Sequence, residues 1–71
     1  MAQEIKASIA GSVWKIQVGV GDNVTSGDDI VILESVKMEI PIAADADGRI
    51  AEVLVNEGDF VNEGDVLARI D

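Results

Sequence analysis

Along this chain apolar side chains recur at every second position rather than every third or fourth. Trp14, Ile16 and Val18 alternate with Val13, Lys15 and Gln17, and Ala51, Val53 and Val55 alternate with Ile50, Glu52 and Leu54. A period of two predicts strands with one face on a core. No window joins helical spacing to start and stop signals, so no helix is expected. Gly-Asp pairs beginning at 21, 27, 58 and 64 bracket short valine-containing segments, and each glycine can supply the positive φ of a tight turn.

The pattern occurs twice. Displaced by 37 positions, Gly11 falls on Gly48, Val13 on Ile50, Ile16 on Val53, Val18 on Val55, Val24 on Val61, Ile30 on Leu67 and Leu33 on Ile70. Residues 5–34 thus overlay 42–71 without a gap, leaving 35–41, Ser-Val-Lys-Met-Glu-Ile-Pro, as the junction. Residues 1–71 are read as one domain of two repeat halves. The expected fold is all-β: about eight short strands forming a flattened barrel of two antiparallel four-stranded sheets related by a pseudo-twofold axis. Its predicted core is Trp14, Ile16, Val18, Val24, Val31, Leu33, Val53, Val55, Val61 and Ile70.

Composition narrows the chemistry. With neither cysteine nor histidine, the chain has no disulfide, no thiolate metal site and no imidazole base, which excludes Ser-His, Cys-His and zinc hydrolase mechanisms. Fourteen acidic against five basic side chains give a net charge of −9, which repels a nucleic-acid backbone. The longest aliphatic run, Ile30-Val31-Ile32-Leu33, is far short of a membrane span, and the N-terminus lacks a signal pattern. A cytoplasmic protein, monomeric in isolation and without nucleic-acid or membrane partners, is expected.

Asp45-Ala-Asp-Gly48 resembles the start of a calcium loop but lacks a third oxygen ligand before its glycine, a terminal glutamate and flanking helices. A polar turn is the better reading, and no metal site is expected. Most carboxylates adjoin turn glycines, where they bond to local backbone donors, and no pair is singled out as acid and base. Lys37 differs. It occupies the repeat junction between Val36 and Met38, in a bend where Asn-Gly or Asp-Gly would be ordinary. Apolar residues on a protruding turn point to recognition by another protein.

The stretch Glu34-Ser-Val-Lys-Met-Glu-Ile-Pro-Ile42, with Gly21-Asp22 and Gly58-Asp-Phe-Val-Asn-Glu-Gly-Asp65 around it, resembles the biotinyl domains of biotin-dependent carboxylases and, more broadly, the biotinyl/lipoyl attachment family. The likeness covers essentially the whole chain. It implies a non-catalytic carrier in which Lys37 receives biotin from a biotin protein ligase and conveys carboxybiotin from biotin carboxylase to a carboxyltransferase. Glu34, Val36, Met38 and Glu39 are the recognition residues it implies. Family biotinyl turns usually read Met-Lys-Met and lipoyl turns Asp-Lys-Ala. Met38 matches the former, and Val36 departs from both. Covalent lipoate in a dehydrogenase or glycine-cleavage system, and an unmodified interaction domain, stand as alternatives. Segments 21–27 and 58–64 are equal in length, so the chain resembles family members without a protruding first-half loop.

Overall fold

Eight strands and no helix make up residues 3–71, the part of the chain described by a computed structural model. They are β1 Gln3–Lys6, β2 Gly11–Ile16, β3 Asn23–Val24, β4 Asp29–Ser35, β5 Met38–Ala43, β6 Gly48–Val53, β7 Phe60–Val61 and β8 Val66–Ile70. Two antiparallel four-stranded sheets result, in the orders β1-β8-β6-β3 and β5-β4-β2-β7. The 37-residue shift carries β1, β2, β3 and β4 onto β5, β6, β7 and β8, so it exchanges the two sheets. The β4–β5 hairpin has as its mate the β1–β8 pair, whose strands are not consecutive in the chain. No helix among the described residues is long and apolar enough to cross a membrane.

The halves close one another's hydrogen bonds. Gly21 N–H donates to Ile50 O and its mate Gly58 N–H to Val13 O, both at 2.8 Å. Gly27 N–H to Ala44 O and Gly64 N–H to Ala7 O repeat the exchange, again at 2.8 Å. All four glycines have φ between 91° and 97°, where a side chain would be strained. Each following aspartate accepts from the backbone N–H three residues before it: Asp22 from Gly19, Asp28 from Thr25, Asp59 from Asn56 and Asp65 from Asn62, at 2.8–2.9 Å. Asp28→Ala removes one such bond while leaving the core intact, and is expected to cost about 1 kcal/mol. Calorimetry should show a drop of about 4–8 °C.

The core is as symmetric as the backbone. The buried apolar residues among those described are all mates under the shift: Ile5 and Ile42, Ala7 and Ala44, Val13 and Ile50, Val24 and Val61, Ile30 and Leu67, Val31 and Ala68, Leu33 and Ile70. Five of the ten predicted core residues lie here, namely Val24, Val31, Leu33, Val61 and Ile70. Ile16, Val18, Val53 and Val55 pack half-buried at the margin instead of the middle. Trp14 corrects the prediction outright: it is 40% exposed, and Val13 points inward in its place. A β-bulge between Val13 and Lys15, repeated by the mate irregularity between Ile50 and Glu52, breaks the alternation. Trp14 and Lys15 consequently both face outward, Lys15 Nζ lying 5.6 Å from the indole centroid.

Candidate functional site

Lys37 lies at the tip of the β4–β5 hairpin. Leu33 pairs with Ile40, Glu34 with Glu39 and Ser35 with Met38, leaving Val36 and Lys37 as a two-residue loop. Their φ angles are 47° and 66°, and positive values at both central positions define a type I′ turn. They are the only non-glycine residues with positive φ among those described. Left-handed backbone costs on the order of 1 kcal/mol for an ordinary residue and more for a β-branched one. The long ladder behind the turn imposes it, with Val31, Leu33 and Ile42 anchoring the two strands in the core.

This strain is unnecessary for folding, since asparagine or glycine would make the same bend more cheaply. Val36→Asn is therefore expected to stabilise the domain by about 1 kcal/mol. A melting temperature raised by about 4–8 °C would register it.

The predicted recognition residues come together around the lysine. Val36 is 91% exposed and Met38 61% exposed, so both apolar neighbours of Lys37 face solvent. Glu34 and Glu39 are exposed and directly opposed across the hairpin, a like-charge pairing that disfavours the sheet. Neither glutamate, nor Lys37, has an ion-pair partner within 4 Å among the described residues. The lysine is thus an accessible primary amine on a preformed turn, fit to be acylated and able to swing a long substituent clear of the sheets.

Other polar groups have structural partners. Asp47 Oδ1 accepts from Ser26 N–H at 2.8 Å, and Glu57 Oε2 accepts from Ile16 N–H at 3.1 Å, tying turns to neighbouring strands. A shallow open depression among Gln3, Glu4, Lys6, Asp45 and Arg69 involves the other sheet, away from Lys37. Among the described residues, no three Asp or Glu side chains gather to hold a metal ion.

A family model described as "Biotin-requiring enzyme", the biotin/lipoyl family, matches residues 1–70. The chain belongs to this family. A biotin/lipoyl attachment protein of Bacillus subtilis is 52% identical over 66 residues, 93% of this chain and 90% of the relative. A biotinylated protein TB7.3 homolog of Mycobacterium leprae is 43% identical over 70 residues, 99% of both chains. The crystal structure of Kluyveromyces lactis urea carboxylase contains the same fold, with a TM-score of 0.94 and 34% identity over 100% of this chain and 6% of that one. The family thus includes members of this chain's own length and domains within much longer enzymes. Its two-sheet fold and the architecture expected from the repeat are the same.

Proposed function

We propose that this chain is a biotin carboxyl carrier, with Lys37 as its attachment residue. The observation that carries the reading is an exposed lysine in a strained type I′ turn at the repeat junction, flanked by solvent-facing Val36 and Met38. The biotinylated mycobacterial relative and the urea carboxylase support biotin as the group carried. Bound there, biotin would supply a ureido nitrogen that accepts and releases a carboxyl group.

Each part of the hairpin has a task in this reading. A biotin protein ligase presents biotin as an acyl adenylate, and Lys37 Nζ, freed of its ammonium proton, attacks the acyl carbon. A C–N amide bond forms, the acyl–phosphate C–O bond breaks, AMP leaves and the proton passes to solvent. The attack needs the lone pair on Nζ, so the ligase must supply the base that takes the proton. Val36 and Met38 offer apolar contacts on either side of the amine, while Glu34 and Glu39 offer charge to basic groups on the ligase and carboxylase. The domain itself contributes no bond-making groups beyond Nζ. Tethering keeps the carried group at high local concentration between biotin carboxylase, which consumes ATP, and carboxyltransferase, and the cytoplasm is the compartment this reading assigns to the cycle.

Labelled bicarbonate tests the whole sequence. With ligase-treated domain, biotin carboxylase and MgATP, label should attach to the protein and leave when carboxyltransferase and its acceptor are added. Label that never attaches to a biotinylated domain would overturn the carrier role. A lipoylated carrier is the second reading, favoured by the name of the Bacillus subtilis relative, which covers both groups. Val36 and Met38, where lipoyl turns have Asp and Ala, weigh against it.

A further inference from the structure

If folding alone had chosen the two outer faces they would match, because the core beneath them is symmetric. They do not match. On the β1-β8-β6 face, Arg69 Nη2 lies 3.6 Å from Glu4 and Nη1 lies 3.0 Å from Glu52, while Lys6 Nζ lies 3.8 Å from Glu4. This is an ordinary solvated charge ladder. The mates of Glu4, Arg69 and Glu52 on the lysine-bearing sheet are Pro41, Ile32 and Lys15, which form one row across β5, β4 and β2. The mates of Ala51 and Asn23 are Trp14 and Phe60.

A second row, nearer the turn, runs Glu39, Glu34, Ser12 and Phe60. Phe60 is 67% exposed opposite Ser12, and Trp14, 40% exposed, lies two residues along β2 from Ser12 at the bulge. The sheet that holds Lys37 thus carries Pro41, Ile32, Trp14 and Phe60 on an outer face shared with Lys15, and Glu34 and Glu39, without ion-pair partners among the described residues, lie between Pro41 and Ile32 and the turn. The fold accepts polar or small side chains at the mate positions, so these large apolar ones serve something other than folding.

We propose that this face docks the domain onto biotin carboxylase, against an apolar patch edged with lysine and arginine, a proposal that rests on the carrier reading. An enzyme that collects MgATP and bicarbonate focuses positive potential at its mouth, the complement of Glu34 and Glu39 on a chain of net charge −9. The ligase acts on Nζ itself, so contact with the turn suffices to place its target. The carboxylase acts at the far end of the biotin arm, where the turn alone fixes nothing, and the flank of the domain must be held.

The domain supplies its own test substitutions. Trp14→Ala and Phe60→Asn install the residues found at Ala51 and Asn23, and Ile32→Arg installs that of Arg69. Binding is read in a Lys37→Arg background, which separates it from biotin, by titrating purified biotin carboxylase of the same organism. The Trp14→Ala/Phe60→Asn pair is expected to weaken Kd at least tenfold, Ile32→Arg to do likewise, and Arg69→Ile on the opposite face to leave it unchanged. Melting temperatures report that each variant is folded. Equal Kd values across folded variants would overturn the docking, as would a ligase KM that rises while the carboxylase Kd stays fixed. Sedimentation showing that the face instead pairs two copies would overturn it as well. Loading of the parent at Lys37 is measured alongside: loading with unchanged Kd sinks the docking alone, and no loading sinks the carrier reading with it.

Discussion

Lys37→Arg is expected to remain wholly unbiotinylated under conditions that load the parent to completion, at an unchanged melting temperature. Arginine tolerates the exposed tip as well as lysine does, because the turn is held by the β4–β5 ladder and not by the side chain at 37. Its guanidinium stays protonated and offers no nucleophilic lone pair to an acyl adenylate. Lys6 and Lys15 are no substitutes. Lys6 pairs with Glu4 on the other sheet, and Lys15 lies over the Trp14 ring on a strand, so neither is presented on a turn. Intact mass of the two proteins after ligase treatment reads the result directly. Equal loading of parent and variant would show that the strained hairpin is not the attachment site.

Gly48→Ala should be strongly destabilising, with the closest obstacles to an added Cβ of any glycine in the chain. A Cβ at Gly48 meets the Ile70 side chain and comes within 2.5 Å of Asp71 O; at its mate Gly11 a Cβ comes within 2.7 Å of Glu34 O. Ile70 is among the most deeply buried side chains and cannot withdraw without opening the core. Backbone on one side and core on the other leave no cheap relaxation, so overpacking of about 2–3 kcal/mol is expected. At about 4–8 °C per kcal/mol for a domain of this size, thermal unfolding by circular dichroism should fall by about 10–20 °C. Gly11→Ala should follow in the same direction, with an effect on the lysine-bearing sheet because its obstacle is the Glu34 carbonyl of β4.

Much of this molecule is legible in the 37-residue displacement. The repeat implies two equivalent halves, the Gly-Asp pairs mark the turns, and the apolar lysine junction stands out because turn chemistry ordinarily forbids it. Those three signals are local or periodic. The bulge was not legible: alternation places Trp14 with Ile16 and Val18, and only a local break in pairing turns it outward. Position 51 carries alanine at the same bulge, so the mismatch of Trp14 with Ala51, and of Phe60 with Asn23, was visible as a departure from the repeat. What it lacked was a sheet on which to place them. The opposition of Glu34 and Glu39 likewise needs the hairpin register, which a two-residue loop fixes and a longer one would have shifted.

The fold is common ground for biotin and lipoate carriers, so the choice between the groups rests on Val36 and Met38. Biotin attachment at Lys37 is therefore read from the mass of the protein purified from cells in which biotin and lipoate ligases are both active. A single adduct of one biotinyl group, mapped by fragmentation to Lys37, is expected. A lipoyl adduct at Lys37, or a biotinyl group on Lys6 or Lys15, would contradict it.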